Sequence, residues 1–585
     1  MPAELEFGAE PIIKLDGQEL AADLQLLVEE VIVHDHSHLP DMFELRFRDE
    51  AHGVLGKAGF EVGRTVEIAA TPVGRVNDAR PLVVGEVTAL ETEYEAASGS
   101  HAVVRGYDPS HRLMKNRNTR AFESRSLVDV VQSVASEAGV PIGDLSGGPA
   151  RIEYVAQVNQ TDWAFLQRLA REAGLELTVE LGRLQLRAPR AASAAPRPGD
   201  LRAEADPLQL TLGQNLRGMR VRVSAASQVE EVEVRAWDPR QREALVGVRP
   251  ARTTSVEIGI SPAELAAAFS LRRRLSCDRV FETQGQVDNA AAALAEHLAA
   301  SHAEAYGVAD GNPELRAGRA VSVALLGTPF DGKYTITSTR HVFDDEGFRT
   351  LFEVTGREER SVLALAGGEE SGSQRIDGVA VGIVTNTRDP DDLGRVRLKF
   401  PWLSDSHESW WARVAVLDAG GDSRGTLFIP EVGDEVLVAF ELGDVRRPFV
   451  IGRLWNGRQK PPVDGLVDTT NGEVKRREIR SRLGHKLAFH DAPDKSGIEI
   501  VTADGKRAVF FDEINGSVVL NAGSNKIEVA DAGNVTLQNS GDIDIETQGN
   551  VKIKAGGNLE IEAGGNLTLQ GGGTTEVKGT LIKLN

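Results

Sequence analysis

The sequence predicts a mainly β protein with some helices, divided into several domains and ending in a repetitive β segment. Three observations carry that reading. At 585 residues the chain is longer than one hydrophobic core can serve, so about three to five domains are expected. Its 60 glycines stand against only 5% aromatic residues, a balance that favours many turns and thin cores. The glycines also crowd toward the C-terminus, where they recur at a fixed spacing.

Composition excludes several function classes. Charged residues make up 26% and hydrophobic residues 41%, which is globular rather than disordered. No run approaches the roughly 20 apolar residues of a membrane span, so no stable membrane anchor is expected. The N-terminus, Met1-Pro-Ala-Glu-Leu-Glu-Phe-Gly-Ala-Glu10, has no basic region followed by an apolar core; any export would use a route other than a secretory signal. A single cysteine, Cys277, leaves no intrachain disulfide and no cysteine metal cluster. A net charge of -21 argues against nucleic acid as a partner.

Residues 1–365 mix strands with a few helices. Ser126 to Gly139 places Leu127, Val130, Val131 and Val134 at helical spacing, and Thr161 to Gly174 opens on capping residues and closes on glycine. Asp288 to Tyr306 is Ala-rich and reads as helix, and Ala191 to Asp206 reads as a Pro/Ala linker or exposed loop. Two stretches look alike: Gly63-Arg-Thr-Val-Glu-Ile68 and Gly318-Arg-Ala-Val-Ser-Val323. Each is followed by a hairpin, Val87 to Val104 and Ile336 to Val354. They predict two related β-barrels with α+β insertions.

After a linker at 366–375, residues 376–457 alternate short apolar runs with turn signals. The expected strands are Val379 to Thr385, Arg395 to Phe400, Ala412 to Val416, Thr426 to Ile429, Glu435 to Phe440 and Pro448 to Ile451. Five or six strands in about 80 residues is the size of a small Greek-key barrel. A short Pro/Lys linker, 458–466, leads to the last domain, 467–585.

There, Gly533, Gly541, Gly549, Gly557, Gly565 and Gly573 recur with a period of eight, a true internal repeat. Asn534, Asp542, Asn550, Asn558, Asn566 and Thr574 follow them, types suited to a turn beside a glycine of positive φ. Two apolar columns keep the same phase: Val535, Ile543, Val551, Leu559, Leu567, and Leu537, Ile545, Ile553, Ile561, Leu569, Val577. Each unit is therefore a turn and a short strand with alternate residues inward. Eight extended residues reach at most about 28 Å, too short for one chain to circle a filled three-sided core. Three identical chains wound together close the edges that one would leave open, so an intertwined homotrimeric β-helix is expected. Upstream the phase loosens, and His485 to His490 and Gly497 to Val501 read as broader hairpins feeding the needle. A calcium-binding nonapeptide solenoid needs period nine and an aspartate that Gly556-Gly557-Asn558-Leu559-Glu560 lacks.

Within the compact domain, Gly394-Arg-Val-Arg-Leu-Lys-Phe-Pro-Trp402, Trp411-Ala-Arg-Val414, Pro430-Glu-Val-Gly-Asp-Glu-Val-Leu-Val-Ala-Phe440, Gly443-Asp-Val-Arg-Arg-Pro-Phe-Val-Ile-Gly452 and Leu454-Trp-Asn-Gly457 resemble the OB-fold of the VgrG and phage baseplate-spike family. Arg105-Gly-Tyr-Asp108, His111-Arg-Leu113 and Thr161-Asp-Trp163 resemble the tube-docking half of the same spikes. The resemblance implies a non-enzymatic, homotrimeric spike that caps the inner tube of a contractile injection particle and adapts a threefold object to a hexameric ring. It implies inner-tube and baseplate proteins as partners, with room for a PAAR-type tip protein and effector cargo. Assembly in the bacterial cytoplasm, followed by release or propulsion to the exterior, follows from the same resemblance. Lys399-Phe-Pro-Trp-Leu403 and Leu454-Trp-Asn-Gly457 look closer to extracellular, phage-tail-like particles than to type VI spikes. Some phage relatives carry a lysozyme between barrel and needle; Gly457 to Leu466 leaves no room for one.

No catalytic, cofactor-binding or metal-ligating set is expected. Gly421-Asp-Ser-Arg-Gly425 matches G-x-S-x-G, yet a nucleophile elbow needs a helix after the serine, and Thr426 to Pro430 reads as a strand. His34, His36 and His38 alternate along one strand, about 6.5 Å apart, too far to share one ion without a sharp bend. Asp389, Asp391 and Asp392 flank Pro390 in a turn with no second motif beside them, and Trp402, Trp410, Trp411 and Trp455 read as core or trimer contacts. The alternatives are a spike bearing an envelope-degrading enzyme, which needs an inserted domain, and a receptor-binding fibre, which favours a bulky head where the sequence shows Leu581-Ile-Lys-Leu-Asn585.

Overall fold

A computed structural model describes residues 10–71, 79–95, 99–197, 206–238, 241–270, 272–281, 283–356, 376, 378–421, 424–462 and 465–584. The expected linker 366–375, Ser423 and residues 198–205 of the Ala191 to Asp206 segment lie outside the described residues. The chain divides into two compact units, Met1–Asn456 and Gly457–Asn585.

The first unit is organised by an eleven-stranded antiparallel sheet. Its strands run, edge to edge, Leu216–Val223, Ala303–Asp310, Gly347–Val354, Ser338–Asp344, Val28–His36, Met42–Arg48, Gly99–Tyr107, Arg80–Glu95, Thr65–Ala70, Pro11–Leu15 and Gln18–Glu19. Side chains alternate across it: in Thr65–Ala70 every second residue, Val66, Ile68 and Ala70, is buried, as period-two patterning requires. One core lies around Phe43, Leu45, Phe47, Ile68 and Val83. A second gathers around Val321, Val323, Tyr334, Phe352 and Val354.

The two like stretches make the same turn. Gly63 (φ 94°) and Gly318 (φ 75°) are both left-handed, a conformation only glycine adopts without strain. Gly63 N–H donates to the Val87 carbonyl and Gly318 N–H to that of Ile336, each at 2.8 Å. Val87 and Ile336 donate back to Arg64 and Arg319, at 2.9 and 2.8 Å. A second equivalence supports the first: the strands Val28–His36 and Leu216–Val223 each carry a register shift at their start, between Val28 and Glu30 and between Leu216 and Gly218. Both copies contribute strands to the same sheet, with a separate core under each.

Two α+β insertions interrupt the copies. In the first, helix Leu127–Glu137 starts on a Ser126/Asp129 capping box and helix Asp162–Glu172 on Thr161, as the sequence indicates. Both bury their apolar faces against Leu184 and Leu186. In the second, the expected helix Asp288 to Tyr306 is corrected to Gln284–Ala300. It begins earlier because Thr283 and Gln286 form a capping box. It ends earlier because Ala303, Ala305, Gly307 and Ala309 alternate inward on a strand, Ala303–Asp310.

The 376–457 segment is a five-stranded sheet in the order Arg397–Lys399, Val379–Asn386, Glu435–Phe440, Pro448–Arg453, Arg413–Val414. It encloses Val384, Leu398, Phe400, Val436 and Val438, and Ala156 and Val158 of the first insertion complete that core. The expected strand Thr426 to Ile429 is corrected: these residues pair with no strand, and Leu427 is 79% exposed.

The second unit opens as a seven-stranded antiparallel meander from Arg476–Arg480 to Val535–Gln538, each strand paired with the next in sequence. The expected hairpins at 485–490 and 497–501 lie within it. From Asn539 to Leu584 the chain forms no strand.

Candidate assembly surfaces

The joint between the two copies is the strand pair Val28–His36 and Ser338–Asp344, in register from Ser338 opposite His36 to Phe343 opposite Val31. A buried charge cluster lies against it. Arg316 donates to Asp35 Oδ2 at 3.0 Å and to the carbonyls of Pro81 and Leu82 at 3.3 and 3.1 Å, and Ala317 N–H also reaches Asp35 at 3.2 Å. Asp41 and Asp108 lie alongside, both fully buried. The Asp41 backbone N–H donates to Asp108, whose other oxygen accepts Ser110 N–H at 2.6 Å. Burial pushes the Asp108 carboxyl up to about 6. Burial, with the charges of Asp35 and Asp108, pushes Asp41 well above the carboxylate range. Asp41 Oδ2 has no hydrogen-bond partner among the described residues, as suits a carboxyl that is neutral in the fold.

The family strings fall around the first copy's edge. Asp108 caps the 3₁₀ turn Pro109–Met114, His111 and Arg112 both bind Glu86 at 3.2 Å, and Trp163 Nε1 donates to the His38 carbonyl at 3.2 Å. The histidine trio is not assembled around one point. His34 is exposed and His36 half-buried, with burial lowering His36 to about 4, while His38 N–H donates to His36 Nδ1 at 3.0 Å. Among the described residues no group of three or more His, Cys, Asp or Glu side chains is arranged to hold a metal ion.

The five-stranded segment docks on the first insertion through an aromatic stack. Trp410 lies over Tyr154 with centroids 5.5 Å apart. The Arg397 guanidinium sits 5.0 Å from the Trp410 centroid and 5.2 Å from that of Trp411, and it donates to Glu123 at 3.0 Å and Glu408 at 3.1 Å. Trp402 and Trp455 are exposed. The aspartate turn is also structural. Burial raises the Asp389 carboxyl, but the Arg395 side chain and the N–H groups of Arg395, Asp391 and Leu393 outweigh it and hold it at about 2. Arg395 also reaches Asp391 at 2.7 Å.

The repeat columns put a long series of apolar side chains on the surface of the single chain. Val535 and Leu537 lie on the last strand, and Ile543, Ile545, Val551, Ile553, Leu559, Ile561, Leu567 and Leu569 follow beyond it, all exposed in the single chain. Ile545 is 76% and Ile553 69% exposed. In the single chain Gly533 has φ 87°, whereas Gly541, Gly549, Gly557, Gly565 and Gly573 are not left-handed. Strand pairing stops at Gln538, so no hairpin forces a turn at the later glycines.

Sequence patterns missed the Asp35–Arg316 pair and the Tyr154–Trp410 stack. Each joins residues more than 250 positions apart, and no local signal marks either.

Comparison with known proteins places these features. A model of the phage tail baseplate hub (GPD) matches residues 43–347, just over half of the chain. A model of the type VI secretion system/phage-baseplate injector OB domain matches 380–455. The type VI secretion system spike protein VgrG1a of Pseudomonas aeruginosa is 35% identical over 115 residues, 19% of this chain. VgrG2a of the same organism is 29% identical over 145 residues, 23% of this chain, and VgrG3 of Vibrio cholerae 34% over 126 residues, 20% of this chain. The matched stretches span only 17%, 17% and 12% of those relatives' own lengths. Among solved structures, the Francisella PdpA-VgrG complex aligns at TM-score 0.49 and 11% identity over 91% of this chain and 80% of that one. The E. coli c3393 protein, a type VI secretion system component, aligns at 0.45 and 14% over 76% and 99%. With the hub model reaching from the first copy into the second and the injector OB model matching the five-stranded segment, the chain belongs to the phage tail baseplate hub family as a VgrG-like baseplate spike protein.

Proposed function

We propose that the chain is the threefold spike of a contractile injection particle. In this reading residues 1–365, as a double barrel, cap the hexameric inner tube, and 467–585 form a trimeric β-helix needle that pierces the target envelope when the sheath contracts. The observation that carries it is the pair of in-phase apolar columns left in water by a single chain. Contiguous apolar surface of that kind marks an interaction site, and a period common to six repeats suits identical chains in identical phase. The mechanism is mechanical: a closed β-helix has no free edge and transmits force along its axis. Baseplate proteins, a PAAR-type tip protein and effector cargo are the further partners implied by the family resemblance. Assembly in the cytoplasm of a bacterium and propulsion to the exterior complete the reading, and the Lys399 to Leu403 and Leu454 to Gly457 strings favour an extracellular, phage-tail-like particle. No enzymatic step is assigned. Asp389 and Asp391 are engaged by Arg395, an arrangement that organises a turn.

Sedimentation of the full-length chain and of a 1–465 truncation tests this. The expected result is a full-length trimer and a truncation that is monomeric at micromolar concentration. A stable full-length monomer would overturn the needle.

A further inference from the structure

The second insertion carries a three-stranded sheet in the order Glu243–Pro250, Glu231–Asp238, Arg273–Ser276. Helix Gln284–Ala300 covers one face, where Val232 and Val234 meet Val287 and Ala291. Arg273–Ser276 runs parallel to Glu231–Asp238, with Glu231 opposite Arg273 and Glu233 opposite Leu275. Its other edge pairs with no strand among the described residues. Glu231 N–H donates to the Arg272 carbonyl at 3.0 Å. Successive residues of a strand turn their backbone groups to opposite edges, so Arg272 and Arg274 bond inward, and Arg273 and Leu275 present free N–H and C=O groups outward.

The two faces beside this edge differ. Arg272 and Arg274 lie on one face, exposed, and neither they nor Arg279 makes an ion pair among the described residues. On the other face Arg273 is held by Glu231 at 2.6 Å and by Glu233. Leu275, also on that face, is 54% exposed, and Trp237, which shares the face of Glu233 by alternation, is 50% exposed. Beyond Ser276 a cleft opens, lined by Trp237, Cys277, Arg279 and Leu442 of the five-stranded segment. An edge guarded only against aggregation needs charge alone; this one backs unpaired guanidiniums with exposed apolar side chains. We propose that the Arg273–Ser276 edge takes up an extended segment of a partner protein as a further strand, one with carboxylates at alternate positions and apolar side chains between them.

Strand addition pairs the free backbone groups of Arg273 and Leu275. Residues opposite Arg272 and Arg274 share their face, so carboxylates there meet two unpaired guanidiniums in a chain whose net charge is -21. Residues opposite Arg273 and Leu275 lay their apolar side chains beside Leu275, on the side where the cleft opens. Directly opposed cross-strand pairs of unlike charge stabilise a sheet, and like charges destabilise it. A second copy presenting the same edge would set Arg against Arg, so the pattern rejects its own kind. Nucleic acid offers anions but neither peptide N–H groups nor alternating apolar side chains.

Fluorescence anisotropy with the full-length chain tests this, using labelled peptides of alternating Glu and Val, of the same composition arranged in blocks, and of alternating Lys and Val. The alternating acidic peptide is expected to bind, and the other two to bind several-fold more weakly. Arg272→Glu with Arg274→Glu should reverse the preference, losing the Glu peptide and gaining the Lys peptide. Leu275→Pro removes an N–H that faces the free edge, where proline is tolerated. That variant should melt like the parent and bind the acidic peptide several-fold more weakly. Failure of the acidic peptide to bind the parent would overturn the proposal. Equal binding of the block peptide would overturn strand pairing in favour of charge alone, and binding that survives the arginine reversal would overturn the site. A DNA duplex that competes as well as the acidic peptide would overturn a protein strand as the occupant.

Discussion

Ile553 and Lys554 are adjacent, exposed in the single chain, and opposite in expected fate. If the Ile545, Ile553, Ile561 column faces the needle axis, Ile553→Asp sets three carboxylates around one point. Burying even one unpaired carboxylate forces a large pKa shift or local unfolding. In that same needle strand Lys554 would alternate outward, and Lys554→Asp should change stability by no more than about 0.5 kcal/mol. Loss of heat or protease resistance in the first variant and not the second is the expected outcome; equal effects would mean the inward column is misassigned. Asp41 supports a second residue-level prediction, one of pH. Its folded carboxyl binds a proton more tightly than the unfolded one, as does that of Asp108. Stability should therefore fall as pH rises from about 4 through the folded values, because the folded state holds the extra protons. Asp41→Asn, neutral at every pH, should be more stable than the parent at pH 8, with the gain shrinking as pH falls toward the unfolded carboxyl's value of about 4. Urea unfolding at pH 5 and pH 8 measures it, and a gain independent of pH would contradict the assignment.

At the scale of elements, the duplicated turn allows a paired test. An added Cβ at Gly63 meets nothing within 4 Å, and at Gly318 meets only Arg187 at 3.7 Å. Gly63→Ala and Gly318→Ala should therefore cost only the left-handed backbone, about 1–2 kcal/mol each and alike. Gly106→Ala should cost more, since its Cβ would lie 2.2 Å from the Glu86 carbonyl and 2.3 Å from the Phe43 ring. Thermal melting of the three variants ranks them. The same elements show what the sequence made legible. Helices Leu127–Glu137 and Asp162–Glu172 were readable because both caps and apolar spacing are local. The start of Gln284–Ala300 was missed because an Ala-rich run has no polar boundary, and its Thr283 cap lies outside the run. Thr426 to Ile429 looks like a strand by composition, yet only tertiary pairing makes one. The repeat columns were legible in phase, but which face they turn inward depends on other chains. The edge-to-edge pairing of Val28–His36 with Ser338–Asp344 spans some 300 residues, a separation at which periodicity carries no information.

For the whole molecule, the proposed contact between chains is apolar, and salt tests that character. The columns contribute eleven apolar side chains per chain. At roughly 1.5–3 kcal/mol for each side chain fully buried, their gross contribution is large against the cost of association, which is itself several kcal/mol or more. Apolar burial is not screened by ions. Exposed ion pairs, by contrast, contribute about 0–1 kcal/mol each and are screened at 1 M salt, where the Debye length is about 3 Å. The full-length trimer should therefore persist in 1 M NaCl. The 1–465 truncation lacks the columns, so it should stay monomeric at micromolar concentration at either salt. Sedimentation equilibrium of both proteins at 0.05 M and 1 M NaCl supplies the comparison. A full-length trimer that dissociates in 1 M NaCl would show that charge contacts, and not the columns, hold the three chains together.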